Sequence, residues 1–262
     1  MIRIIARVSI LLAISAAGGC LGAKAARAWP QQAPGCRAVL QLRAVFPARE
    51  NTAFLAGWIE TPGKRAHTLI LKTTDGGRNW RQIGPRIEGS ALATIEFIGD
   101  DTGWAAGEKI LDNPGEPFVL RTTDGGENWV KVDLPSPTTS LGTVRTMTFT
   151  DSKHGTVVVE RRVGIRIRGK ELDAEVFLTQ DGGLTWNLAD QFFRRKGEEE
   201  ERESVEEIER SGWKIVELED GVFRVLRREE PAAAGWSAVA TLDASGVDFD
   251  ARYLCGEGEK EE

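Results

Sequence analysis

The sequence predicts an all-β chain folded as a β-propeller of about four to five four-stranded blades, and three observations carry that expectation. One eight-residue phrase occurs three times, as Thr73-Thr74-Asp75-Gly76-Gly77-Arg78-Asn79-Trp80, Thr122-Thr123-Asp124-Gly125-Gly126-Glu127-Asn128-Trp129 and Thr179-Gln180-Asp181-Gly182-Gly183-Leu184-Thr185-Trp186, its aspartates 49 and 57 residues apart. Short apolar stretches precede the phrases. A period near 50 residues, made of short strands and turns, describes a unit unable to bury its own face, and radial stacking of such units gives a propeller.

Each phrase reads as the tip of a β-hairpin. Paired glycines supply positive φ at no steric cost, and the aspartate accepts hydrogen bonds from amides just ahead of it. A threonine before the turn and a tryptophan after it favour strands, and the tryptophan returns a large ring to the layer between sheets. A metal or phosphate loop is the competing reading. One carboxylate per loop is too few oxygen ligands for calcium, and no Lys-Ser/Thr follows the glycines.

The predicted strands are Thr68–Lys72, Phe118–Arg121, Val176–Thr179 and Val222–Arg227. Gly57-Trp58, Gly103-Trp104 and Gly212-Trp213 precede Trp80, Trp129 and Trp236 by 22, 25 and 23 residues. Phe97 and Phe149 stand at matching places ahead of Gly103 and Gly155. On this alignment seven of the eight tryptophans occupy repeat positions and are packing residues. The fourth unit keeps Trp236 and has Glu229-Glu230-Pro231-Ala232-Ala233-Ala234-Gly235 in place of the turn phrase.

Thr-x-Asp-Gly-Gly-x-x-Trp resembles the Asp-box, or bacterial neuraminidase repeat, over Thr73–Trp186. Together with the upstream Phe and Gly-Trp elements, it resembles the photosystem II stability and assembly factor family of propellers. The resemblance implies that Asp75, Gly76, Gly77 and Trp80, Asp124, Gly125, Gly126 and Trp129, and Asp181, Gly182, Gly183 and Trp186 are scaffold residues on the outer hairpin of each blade. Asp-box proteins include glycosidases, sorting receptors and non-catalytic assembly factors, so the box transfers no function.

Residues 1–20 read as a secretory signal, with two arginines, an apolar run over Val8–Ala17 and Ala17-Gly18-Gly19-Cys20. This resembles a lipobox with lipidation at Cys20; signal peptidase I sites at Ala23-Lys24-Ala25 and Ala26-Arg27-Ala28 are the alternative. The expected location is the bacterial periplasm or outer membrane as a lipoprotein, or the exterior. A linker over 21–36, a propeller over 37–255 and an acidic tail over 256–262 follow. Cys36 and Cys255 are expected to form a disulfide joining first and last blades, with two free thiols as the rival.

The net charge of −6 becomes more negative once the signal is removed, which argues against nucleic acid as a partner. Arg161, Arg162, Arg166 and Arg168 form a basic stretch in the third unit, read either as a solvated outer strand or as a docking patch for an acidic protein segment. The charged stretch 194–210 reads as an exposed loop or short solvated helix. No catalytic residue, cofactor or metal is expected. His67 and His154 stand outside any metal-ligand spacing, and no nucleophile elbow or P-loop occurs. The resemblance to sialidases implies a tyrosine nucleophile and an early Arg-Ile-Pro, whereas the one tyrosine here is Tyr253 and the phrase is missing. The expectation is a non-catalytic exported scaffold that binds a protein or envelope complex. The alternative is a protein binding or hydrolysing envelope glycans, which should display aromatics outside the repeat positions; Trp29 and Tyr253 qualify.

Overall fold

A computed structural model describes residues 38–60, 65–111, 115–135, 142–161, 166–167, 170–193, 207–210, 212–219, 221–228 and 235–242. The first sheet comprises β1 (Val39–Arg49), β2 (Thr52–Glu60), β3 (His67–Thr73) and β4 (Arg81–Ile83), paired antiparallel in chain order. The second repeats this with β5 (Ser90–Ile98), β6 (Thr102–Lys109), β7 (Pro117–Thr122) and β8 (Val130–Asp133). In the third, β9 (Gly142–Phe149), β10 (Gly155–Arg161), β12 (Lys170–Thr179) and β13 (Asn187–Phe193) follow the same order, and the two-residue β11 (Arg166–Ile167) pairs with the start of β12. The fourth is β14 (Glu207–Arg210), β15 (Trp213–Glu219), β16 (Val222–Arg228) and β17 (Trp236–Leu242).

These four antiparallel sheets are the blades of a propeller. The first strands lie innermost, since β1 contacts both β5 and β14, and β5 contacts β9. All four predicted strands fall inside observed ones. The stretch 194–210 departs from expectation at its end, because Glu207–Arg210 is β14, the first strand of the fourth blade. Its pairing with β15 supplies a ladder partner that a charged segment lacks on its own. Residues 194–206 lie outside the described residues, as do Cys20, Cys36, Cys255 and both chain ends.

Each sheet has two faces. We call the first face the one carrying the turn-phrase tryptophan, and the second face its opposite. Three apolar clusters join second face to first face along the order fourth, first, second, third sheet. Trp213, Ile215 and Val225 pack on Leu55, Leu71 and Trp80; Phe54, Ala56 and Ile70 pack on Ile95, Phe97 and Leu120; Trp104, Ala106 and Val119 pack on Val144, Phe149 and Phe177. Ten of these residues are wholly inaccessible, so burial of this apolar area is the main force holding blade to blade.

Candidate functional site

The turn phrases lie between the third and fourth strands of their sheets and close by an identical set of bonds. In the first, Thr73 Oγ1 donates to Asp75 Oδ1 (2.9 Å) and accepts from Gly77 N (3.0 Å), while Asn79 N donates to Asp75 Oδ1 (2.9 Å). The second copy repeats these contacts through Thr122, Asp124, Gly126 and Asn128, and the third through Thr179, Asp181, Gly183 and Thr185. Gly76, Gly125 and Gly182 each donate to a carbonyl in the turn between the first two strands of the same sheet. The carboxylates are spent on their own turns. Backbone and side-chain hydrogen bonds from Asn128, with the Thr122 hydroxyl, lower Asp124 to about 2. The Thr185 hydroxyl and amide do the same for Asp181, to about 2. Burial raises Asp75, but bonds from Asn79 and Thr73 outweigh it and leave it lowered.

The structure adds an interlock between sheets that sequence reasoning missed. In register, Phe54 pairs with Lys72, Trp104 with Arg121 and Trp213 with Arg227, so aromatic and cation share the second face. Lys72, Trp104, Arg121 and Trp213 reach the turn phrase of the next sheet, and Phe54 reaches Phe97 beside it. Trp104 Nε1 and Arg121 Nε donate to Gly182 O at 2.7 and 2.8 Å, and Lys72 Nζ donates to Gly125 O at 2.9 Å. Phe54 stacks on Phe97 at 4.0 Å, and Trp104 stacks on Phe149 at 3.6 Å. Those phenylalanines in turn meet Trp129 and Trp186 edge-on. Trp213 meets Trp80 edge-on at 6.3 Å. Gly77 has φ 92°, and a Cβ on it would lie 2.9 Å from Val239 and 3.2 Å from the Trp213 ring. The glycine is therefore required twice, for its conformation and for this approach.

This register corrects the alignment of the tryptophans. The counterpart of Gly103-Trp104 in the first sheet is Ala53-Phe54, because Ala53 and Gly103 both pair with the threonine of the turn phrase. Gly57 matches Gly107 instead; a Cβ on either would lie 1.9 Å from the carbonyl oxygen of Gln41 or Ala91. Trp58 is thus outside the interlock. It is half-buried, with Arg43 5.1 Å from its ring centroid and its Nε1 donating to Glu60 Oε1 at 2.7 Å.

In the third sheet the interlock pair is replaced by Thr156 opposite Leu178. Around it, Thr146, Val158, Val176 and Asp190 form one cross-strand row, and Glu160, Ala174 and Phe192 another. Every one of these second-face residues is half-buried or exposed, with Leu178 at 41% and Phe192 at 52%. Its first face, by contrast, buries Val144, Met147, Val157, Val159 and Phe177. Among the described residues no apolar cluster joins the third sheet to the fourth.

The basic stretch divides. Arg161 is 3% exposed and points into the joint between second and third sheets, where Nε donates to Glu175 Oε2 at 2.7 Å and Nη2 bonds the same oxygen. Gln191 Nε2 donates to Glu175 Oε1 at 2.9 Å. Arg161 is therefore no docking residue, because its charge is committed to a buried carboxylate. Arg166 begins β11, while Arg162 and Arg168 lie outside the described residues. Of the histidines, His154 Nδ1 lies 2.8 Å from Asp151 Oδ2. That ring, with the amides of Lys153 and His154, lowers Asp151 to about 2. Among the described residues no group of three or more His, Cys, Asp or Glu is placed to hold a metal ion.

No protein-family model and no curated protein matches this chain. Solved structures similar to it include the GH74 enzyme of Niastella koreensis, 19% identical at a TM-score of 0.39, covering 53% of this chain. The chain spans 20% of that enzyme. YCF48 bound to D1 peptide is 16% identical at a TM-score of 0.37, covering 84% of this chain and 72% of the other. The propeller architecture rests on the four sheets themselves.

Proposed function

We propose that this chain is a non-catalytic, exported scaffold that receives a protein partner on its third blade and helps assemble or stabilise an envelope or membrane complex. The observation that carries this reading is the uncovered second face of the third sheet. Every other second face in the described structure is sealed by an aromatic, a cation and the next turn phrase, whereas this one presents Thr156, Val176, Leu178 and Phe192. A half-apolar sheet face with few charges suits a protein surface, since apolar patches mark interaction sites. In this reading Arg162, Arg166 and Arg168 supply charge steering to an acidic partner segment, without Arg161.

The test is crosslinking and mass spectrometry of the tagged protein in its native envelope. Recurrent recovery of one membrane complex is expected, lost in Leu178→Glu/Phe192→Glu and weakened in Arg162→Glu/Arg166→Glu/Arg168→Glu. Recovery unchanged in both variants, or nothing above background, would refute the reading. Trp58 supports a second one. An indole outside the interlock, with Arg43 over its ring and Glu60 beside it, is the kind of aromatic a glycan binder displays. Glycan-array binding that Trp58→Ala abolishes would favour that class instead.

A further inference from the structure

The joint between first and second sheets is closed at its outer rim by charge. Arg81, the cross-strand partner of Lys72, bonds Glu127 Oε1 at 2.6 Å. Glu127 stands two residues beyond Gly125, whose carbonyl takes the Lys72 ammonium. The next joint is built alike. Arg121 bonds Gly182 O, its cross-strand partner is Val130, and Leu184 stands two residues beyond Gly182. Val130 therefore takes the place of Arg81, and Leu184 that of Glu127. Two long side chains that reach each other have become two short apolar ones, 59% and 53% exposed.

The exchange leaves Arg121 short of a counter-charge. It is half-buried and bonds through Nε; among the described residues its guanidinium has no carboxylate partner. The neighbouring Asp181 is committed elsewhere, since its oxygens take the Thr179 and Thr185 hydroxyls and the amides of Leu184 and Thr185. A guanidinium partly withdrawn from water grips a planar carboxylate through two parallel hydrogen bonds. We propose that Arg121, Val130 and Leu184 form a docking notch for an extended segment of a partner protein, in which a Glu or Asp side chain meets the guanidinium and its apolar neighbours meet Val130 and Leu184. Charge complementarity selects the acid, and the two apolar walls select a segment that is otherwise uncharged. The partner supplies from outside the carboxylate that Glu127 supplies from within at the preceding joint. This rim lies on the side of the third blade that faces the second, apart from the second face of the third sheet. The notch therefore goes beyond the functional proposal and can fail without it.

The probe is the blocked tripeptide acetyl-Leu-Glu-Leu-amide, titrated into the exported chain while NMR follows the Arg121 Nε–H and Leu184 amide signals. Both signals should move in the millimolar range, and the same peptide with Gln for Glu should bind at least about tenfold more weakly. Val130→Arg/Leu184→Glu rebuilds the charged rim of the preceding joint. It should abolish binding and leave the urea midpoint no lower, so that lost binding cannot be laid to lost structure. Leu178→Glu/Phe192→Glu should bind the peptide as the parent does. Signals that stay still, equal affinity for the Gln peptide, or binding that survives the rebuilt rim would overturn the notch. So would loss of binding in Leu178→Glu/Phe192→Glu, which would move the site to the other face. A notch indifferent to the peptide, in a chain whose Leu178→Glu/Phe192→Glu variant still loses its envelope complex, would fall alone and leave the functional proposal standing.

Discussion

Asp124 and Asp181 accept amide hydrogen bonds at 2.9 Å from Asn128 and Thr185, and each takes a second side-chain bond, at 2.7 and 2.6 Å. These donors favour the ionised form, which is why both carboxyls titrate at about 2 in the folded chain against an ordinary 3.8. A group lowered on folding contributes stability that is complete above its unfolded value and fades as pH falls through its folded one. The urea midpoint should therefore hold level above about pH 5 and fall between about pH 4 and 2. Asp124→Asn/Asp181→Asn should start lower and show a shallower acid limb. An unchanged limb in that variant would place the acid sensitivity elsewhere. The turn chemistry was legible from sequence at this scale, because the contacts join residues two to four apart.

At the scale of the element, β10 shows what alternation reveals and what composition hides. Val157, Val159 and Arg161 share one face by period two, so the arginine's burial was encoded in the strand pattern, although a run of basic residues reads first as surface. The first sheet has Ile59 and Leu69 where the third has Arg161 and Glu175. A single Arg161→Ile should cost about 3–5 kcal/mol by stranding the buried Glu175 carboxylate. Arg161→Ile/Glu175→Leu, which restores the first-sheet pair, should recover most of that loss and can exceed the parent by about 1–4 kcal/mol. Chemical denaturation of the three proteins decides it. A double variant as unstable as the single would show that the pair holds the joint through more than its mutual charge.

Across the whole molecule, stability should follow coverage. Among the described residues, apolar clusters cover both faces of the first and second sheets, the first face of the third and the second face of the fourth. Native-state hydrogen exchange should give the slowest amides in β2, β3 and β6 and faster ones in β12 and β16. Uniform protection across the four sheets would mean that the joint between third and fourth is closed in solution.

By itself the sequence determined the strands, the turns and the repeat, since each depends on neighbours a few residues away or on a spacing that survives without geometry. It also contained the replacements Thr156 and Leu178, but their meaning needed the register. Counting residues matched Gly57-Trp58 to Gly103-Trp104, while pairing matched Ala53-Phe54, because loops and bulges change spacing without changing which residues face each other across a ladder. Only the tertiary structure decided which side of each sheet is covered. Both faces of a blade carry alternating side chains of similar kind, and what buries one of them is a sheet some 50 residues away.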